Sequence, residues 1–249
     1  MQIFTLFIRK LAVVTFWFFV WEATARIVAN PIVIVGPVEA FGRLFELAAT
    51  RDFWSNINYS LVRILFGFVL SLGAGVTLAI LCSISKIFNT LITPFINVIK
   101  SIPVVSFALL AVMLLSPAIL SIFIAFITVL PIIFFNTYNG IQNTDKNLLQ
   151  MAKVFRVNLF KRIRHIYVPT VAPFVVSAAE SGLGFAWKAA IAGEVISLAS
   201  RASIGGAMQT ARSFLMTADL YAWTITIVAL SFLMEKAFFL LFGRIKKWQ

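Results

Sequence analysis

Six stretches of this chain are apolar over about 20 residues, the length a helix needs to cross a hydrocarbon layer, and nothing else constrains its fold as strongly. They cover roughly residues 11–30, 60–84, 90–115, 117–138, 170–198 and 218–242. A lipid interior offers the backbone no water, and a helix satisfies its own amide and carbonyl groups. Only 12% of residues are charged and 61% are hydrophobic, where soluble domains carry about a quarter charged. A water-soluble chain of 249 residues could not bury that much apolar surface. The expectation is an all-α polytopic membrane helical bundle of about six spans, with little chain left for an extramembrane domain.

The spans are not uniform. Glu22 and Arg26 lie four residues apart near the end of the first, where they neutralise each other. Pro94, Lys100 and Pro103 interrupt the third, and Pro131 lies inside the fourth. Arg63 and Lys100 are expected to reach the membrane interface. Arg9 and Lys10 precede the apolar run Leu11–Trp21, and Ala23-Thr24-Ala25 resembles a cleavage site. Glu22 beside that site, the Phe- and Trp-rich run and the later spans favour an uncleaved anchor. The organisation read is an anchor helix over 1–30, an extracytoplasmic or interfacial segment over 31–59, and a core over 60–247. In the middle segment, Val38–Thr50 places Phe41, Leu44, Leu47 and Ala48 on one helical stripe. The segment 199–217 reads as an outer loop with a short helix.

The net charge of +12 would suggest a nucleic-acid partner in a soluble protein. In a membrane chain it reads as the enrichment of cytoplasmic loops in Lys and Arg, with no nucleic acid implied. With six spans, both termini share a side with the loops at 84–90 and 139–168. That side carries twelve basic residues: Arg9, Lys10, Lys86, Lys146, Lys153, Arg156, Lys161, Arg162, Arg164, Arg244, Lys246 and Lys247. The other side carries four: Arg43, Arg51, Arg201 and Arg212. Both termini are therefore placed in the cytoplasm, in a multi-pass protein of the inner or plasma membrane. Cys82 is the only cysteine and His165 the only histidine, which excludes an intrachain disulfide and a multi-His metal site. No phosphate-binding glycine loop is present.

The 139–168 connection is the longest polar stretch on the inner side. Thr144 or Asp145 can cap a helix on which Leu148, Met151, Ala152 and Phe155 recur at helical spacing. A second short helix can begin at Asn158, and Pro169 then restarts the chain into the fifth span. Such an amphipathic helix can lie on headgroups, pack under its own bundle, or dock into a partner's groove.

The spacing in this loop resembles the signature of ABC importer permeases: Glu-Ala-Ala, three residues, Gly, nine residues, Ile-x-Leu-Pro. Here Gln150-Met151-Ala152 is followed after three residues by Arg156, and nine residues later by Ile166-Tyr167-Val168-Pro169. Gly140 and Asp145-x-x-Leu148-Leu149 fit the lead-in. Gln150 stands in place of Glu, and Arg156 in place of Gly. Glycine there would adopt a left-handed backbone freely, whereas Arg bears a cost of roughly 1–2 kcal/mol. Residues from about 31 to 247 resemble the taurine, nitrate and aliphatic-sulfonate branch. The segment Ser60-Leu61-Val62-Arg63 leading to Gly67-Phe68, Ile102-Pro103, Trp187, Gly193-Glu194 and the basic ending with Trp248 carry that likeness.

The resemblance implies a type I ABC importer (MetI-like) permease fold and no enzyme activity in this chain. It implies cytoplasmic ATP-binding subunits that hold ATP and magnesium, a second permease subunit forming a homodimer, and an extracytoplasmic substrate-binding protein. No cofactor and no metal are expected in the chain itself. Gly140, Asp145, Leu148, Gln150, Met151, Ala152, Phe155, Arg156 and Pro169 become the ATPase-coupling residues.

Within the spans, Gly67, Ser71 and Gly75, and Ala178, Gly182, Ala186 and Ala190, recur every four residues, as close helix contacts in lipid require. Glu180, Trp187, Lys188 and Glu194 are pathway or gate candidates. Ionisable groups at membrane depth are costly unless they face the interior, and Lys188 could attract an anionic substrate. Two other classes stay open on the residues alone: an ion-gradient-driven transporter using intramembrane carboxylates, and an integral membrane enzyme.

Overall fold

The structure, a computed structural model, describes residues 2–197 and 202–242. Regular structure among them is helical throughout: α1 (Gln2–Val28), α2 (Pro37–Ala48), α3 (Arg51–Ile84), α4 (Lys86–Ser101), α5 (Val104–Leu114), α6 (Pro117–Gln142), α7 (Lys146–Val154), α8 (Leu159–Arg162), a π turn (Ile163–Tyr167), α9 (Val168–Ile196), α10 (Ile204–Ser213) and α11 (Thr217–Phe242). Five helices are long and apolar enough to cross a membrane, or six if α4 and α5, bent by 97°, form one broken span. The polytopic helical bundle anticipated from hydropathy is the observed fold.

Helices α3, α6 and α9 form the centre, and small residues set how closely they approach. Gly67, Ser71 and Gly75 of α3 are buried. A Cβ at Gly67 would collide with the Ile122 carbonyl of α6, and one at Gly75 would fall 2.8 Å from the Ile133 side chain. On α9, Ala178, Gly182, Ala186 and Ala190 are all buried, and a Cβ at Gly182 would lie 3.0 Å from Val129 of α6. Lipid gives apolar side chains no reason to cluster, so this close fit supplies dispersion contacts that bulkier residues would forfeit.

Helix α1 is peripheral: none of the window Leu11–Val28 is buried. It docks by aromatic contacts. Trp21 stacks on Tyr221 at 5.6 Å and donates its indole N–H to the Val35 carbonyl at 2.8 Å, while Phe18 stacks on Phe41 at 5.9 Å. The Glu22–Arg26 pair closes at 2.7 Å. Helix α2 is tied to the start of α11 by Arg43, whose guanidinium meets Asp219 at 2.5 Å and Glu46 at 2.7 Å. Those carboxylates push the Arg43 pKa further up from its already high ordinary value.

Two boundaries differ from expectation. Helix α3 begins at Arg51 rather than near residue 60, because Thr50 caps it by accepting the Phe53 N–H at 3.3 Å. Asp52, Ser55, Asn56 and Asn58 in its first turns had masked it from a hydropathy reading. Pro169 does not restart the chain. It sits in the first turn of α9, where a missing N–H is tolerated, and the π turn before it joins α8 to α9 without a break. The 199–217 segment contains α10 as its short helix, with residues 198–201 outside the described range.

Candidate functional site

The 139–168 loop starts where α6 ends. Gly140 is buried there, and an added Cβ would lie 3.1 Å from Phe174 of α9, so the loop leaves from a point of tight helix contact. Asp145 caps α7 by accepting the Asn147 N–H at 2.8 Å. The helical stripe read from the sequence divides in two. Ala152 is buried at 3% exposure and anchors α7 to the protein. Leu148, Met151 and Phe155 stand out at 42%, 50% and 74% exposure. Gln150 is exposed as well.

Helix α7 stops at a left-handed residue. Arg156 has φ of 50°, its N–H bonds to the Lys153 carbonyl at 3.1 Å, and the Val157 N–H reaches back to Ala152 at 2.9 Å. This pair of bonds is a Schellman ending, normally served by glycine. Arg156 adopts the same geometry with a Cβ in place. The chain then turns into α8, capped by Asn158, which accepts the Phe160 N–H at 3.4 Å. Leu159, Phe160, Lys161 and Arg164 are exposed beside α7, giving an apolar surface with basic edges.

The four residues read as pathway or gate candidates are not brought together. Trp187 is 1% exposed and donates its indole N–H to the Ile227 carbonyl of α11 at 3.2 Å, so it packs the core between α9 and α11. Glu194 is also closed inside. Its Oε1 accepts from Ser121 of α6 at 2.8 Å, and its Oε2 from Ser60 of α3 at 2.8 Å and from the Gly205 N–H of α10 at 3.1 Å. One carboxylate thereby ties four helices at the face opposite the 139–168 loop. A Cβ on Gly205 would run into Glu194 itself, so the α10 backbone approaches only because that residue is glycine. Glu180 is half-buried and Lys188 exposed on α9.

Lys100 is exposed and borders a cavity of about 330 Å³ at the α4–α5 bend. Arg63 is held at the start of α6, where its Nε donates to the Ala118 carbonyl at 2.9 Å. Among the described residues no group of three His, Cys, Asp or Glu side chains is placed to hold a metal ion.

Residues 67–247 match the family described as binding-protein-dependent transport system inner membrane component, and the chain belongs to that family. An ABC transporter permease protein of Brucella abortus (strain 2308) is 28% identical over 222 residues, covering 88% of this chain and 87% of that one. The aliphatic sulfonates transport permease protein SsuC of Bacillus subtilis (strain 168) is 24% identical over 233 residues, covering 92% and 83%. The crystal structure of an amino acid ABC transporter with histidines superposes with a TM-score of 0.65 at 18% identity, over 83% of this chain and 98% of that one, which shows the shared fold. The protein is the membrane-embedded permease subunit of an ABC importer. Neither the ion-gradient transporter nor the membrane enzyme finds support in these matches.

Proposed function

We propose that the chain pairs with a second copy of itself to enclose a path through the inner membrane, and that α7 couples this path to cytoplasmic ATPase subunits. The observation that carries this reading is the outward-facing set Leu148, Met151 and Phe155 on a helix capped at one end and turned sharply at the other. Three large apolar side chains exposed to water are costly unless something covers them, and an apolar groove in a soluble partner does so. The basic side chains Lys153, Lys161 and Arg164 around them steer an acidic rim into register.

In this reading ATP and magnesium are held by the ATPase subunits, and the chain itself holds no cofactor. The ATPases draw together on binding ATP and part after hydrolysis. Gly140 and Ala152 keep α7 seated against the bundle, so its movement is passed on. Both termini lie in the cytoplasm, residues 1–30 serve as an anchor helix, and 31–59 lie at the outer face. The substrate-binding protein docks on that outer face, near α2 and α10.

The test is co-purification with the ATPase subunit encoded with this chain. Met151→Asp or Phe155→Asp is expected to release that subunit and abolish ATP-driven uptake while leaving the bundle's melting temperature unchanged. Full ATPase retention with normal uptake in both variants would refute the coupling role of α7.

A further inference from the structure

Helix α9 lies at the centre of the bundle, yet one of its sides is open. Its other sides pack on α3, α6, α10 and α11. The open side carries Ser177, Ser181, Lys188 and Ala192, all exposed and spaced as one face of a helix requires. In a bundle complete in itself, the central helix would be covered by apolar contacts all round.

The same side is charged. Lys188 stands one turn from Gly184, which lies near the middle of the 29-residue α9. Glu235 of α11 comes to the level of Gly184, where an added Cβ would lie 3.6 Å from its carboxylate. Both charged side chains are exposed, and among the described residues neither forms an ion pair. Ionised groups left against lipid at this depth are costly, and those that persist face protein or a water-filled space.

A second copy of the chain fits this side by charge and by depth. Two copies inserted in the same direction are related by an axis along the membrane normal, so each residue meets partner groups at its own depth. Four residues of helix, about 6 Å, separate the levels of Lys188 and Glu235, and a lysine side chain spans that offset. A patch holding both signs is complementary to itself, as a two-fold interface demands. Ser177, Ser181 and Ala192 leave room for the partner's backbone to come close.

We propose that the side of α9 bearing Lys188 is the seam with the second copy, and that Lys188 pairs there with the partner's Glu235, twice by symmetry. The proposal rests on the two-copy reading given above and assigns it a surface.

The test uses the full chain with its ATPase subunits in native membranes, in a Cys82→Ser background. Two differently tagged copies are co-expressed, one with Lys188→Cys and the other with Glu235→Cys, and treated with a short bis-maleimide. A cross-linked product carrying both tags is expected. In the control, Leu233→Cys replaces Glu235→Cys; Leu233 is exposed on the opposite side of α11 and should give no such product. Both substitutions in one copy, beside a cysteine-free second copy, give the intrachain comparison. Lys188→Glu and Glu235→Lys should each weaken self-association in detergent about tenfold, and the double reversal should restore most of it. A product confined to single chains, a two-tag yield no higher than the control, or no rescue by the double reversal in folded protein would overturn the proposal. Native mass spectrometry of the same preparations counts the copies. Two copies without the two-tag product would overturn this surface and leave the two-copy reading standing, whereas one copy would overturn both.

Discussion

Replacing Glu194 separates hydrogen-bond geometry from charge at the junction of α3, α6, α9 and α10. The carboxylate accepts from the Ser60 and Ser121 hydroxyls at 2.8 Å, from the Gly205 N–H at 3.1 Å, and from the Ser203 hydroxyl. The Gly205 amide can only donate, so in Glu194→Gln the amide oxygen takes the Oε2 place and keeps both Ser60 and Gly205. The new NH₂ then faces Ser121, whose hydroxyl rotates to accept. Glu194→Ala removes the same charge but leaves four donors unmatched in a site where Glu194 is 1% exposed. The charge effect cancels between the two variants, leaving about 1 kcal/mol for each lost bond, or about 4 kcal/mol in all. The cavity left by the shorter side chain adds to this. By the scaling of soluble domains, Ala should melt about 8–16 °C below Gln. The assay is thermal unfolding of each variant in nanodiscs. Equal melting temperatures for Gln and Ala, or a lower one for Gln, would refute the argument that acceptor geometry holds this junction.

Arg156→Gly relieves the left-handed backbone at φ 50° and should raise the local stability of α7 by up to about 1 kcal/mol, read as slower amide hydrogen exchange over residues 146–157. Gly67→Leu places a side chain against the Ile122 carbonyl and should drive α3 from α6, read as loss of folded yield. Arg43→Ala breaks the link from α2 to Asp219. With Arg43 a third exposed, the cost should be only about 1 kcal/mol, seen as faster exchange in α2 alone.

Those features that follow a period were legible in the sequence. Apolar runs located the spans, four-residue repeats of small side chains located the α3 and α9 contact faces, and the apolar spacing around Met151 located α7. Features built from distant residues were not. Ser60 and Ser121 lie 134 and 73 residues from Glu194, so no local pattern could announce that they share its carboxylate. Nor could any local pattern show that Trp187 and Glu194, singled out on α9, would each hydrogen-bond to residues on other helices. The 97° turn between α4 and α5, which leaves the exposed Lys100 beside a cavity, was equally hidden. Pro103 signalled a break but carried no information on its angle.

The absence of any interruption between α8 and α9 has a mechanical consequence. Leu159 to Ile196 is one rod of 38 residues, about 55 Å from tip to tip. Its lower tip emerges beside α7, and Glu194 grips α10 two residues from its upper tip. The π turn, Pro169 and Pro173 are the places along it where a tilt at the lower tip can be taken up as a bend. Whatever they do not take up reappears, reversed in direction about whatever pivot α3 and α6 provide, at the far end beside α10.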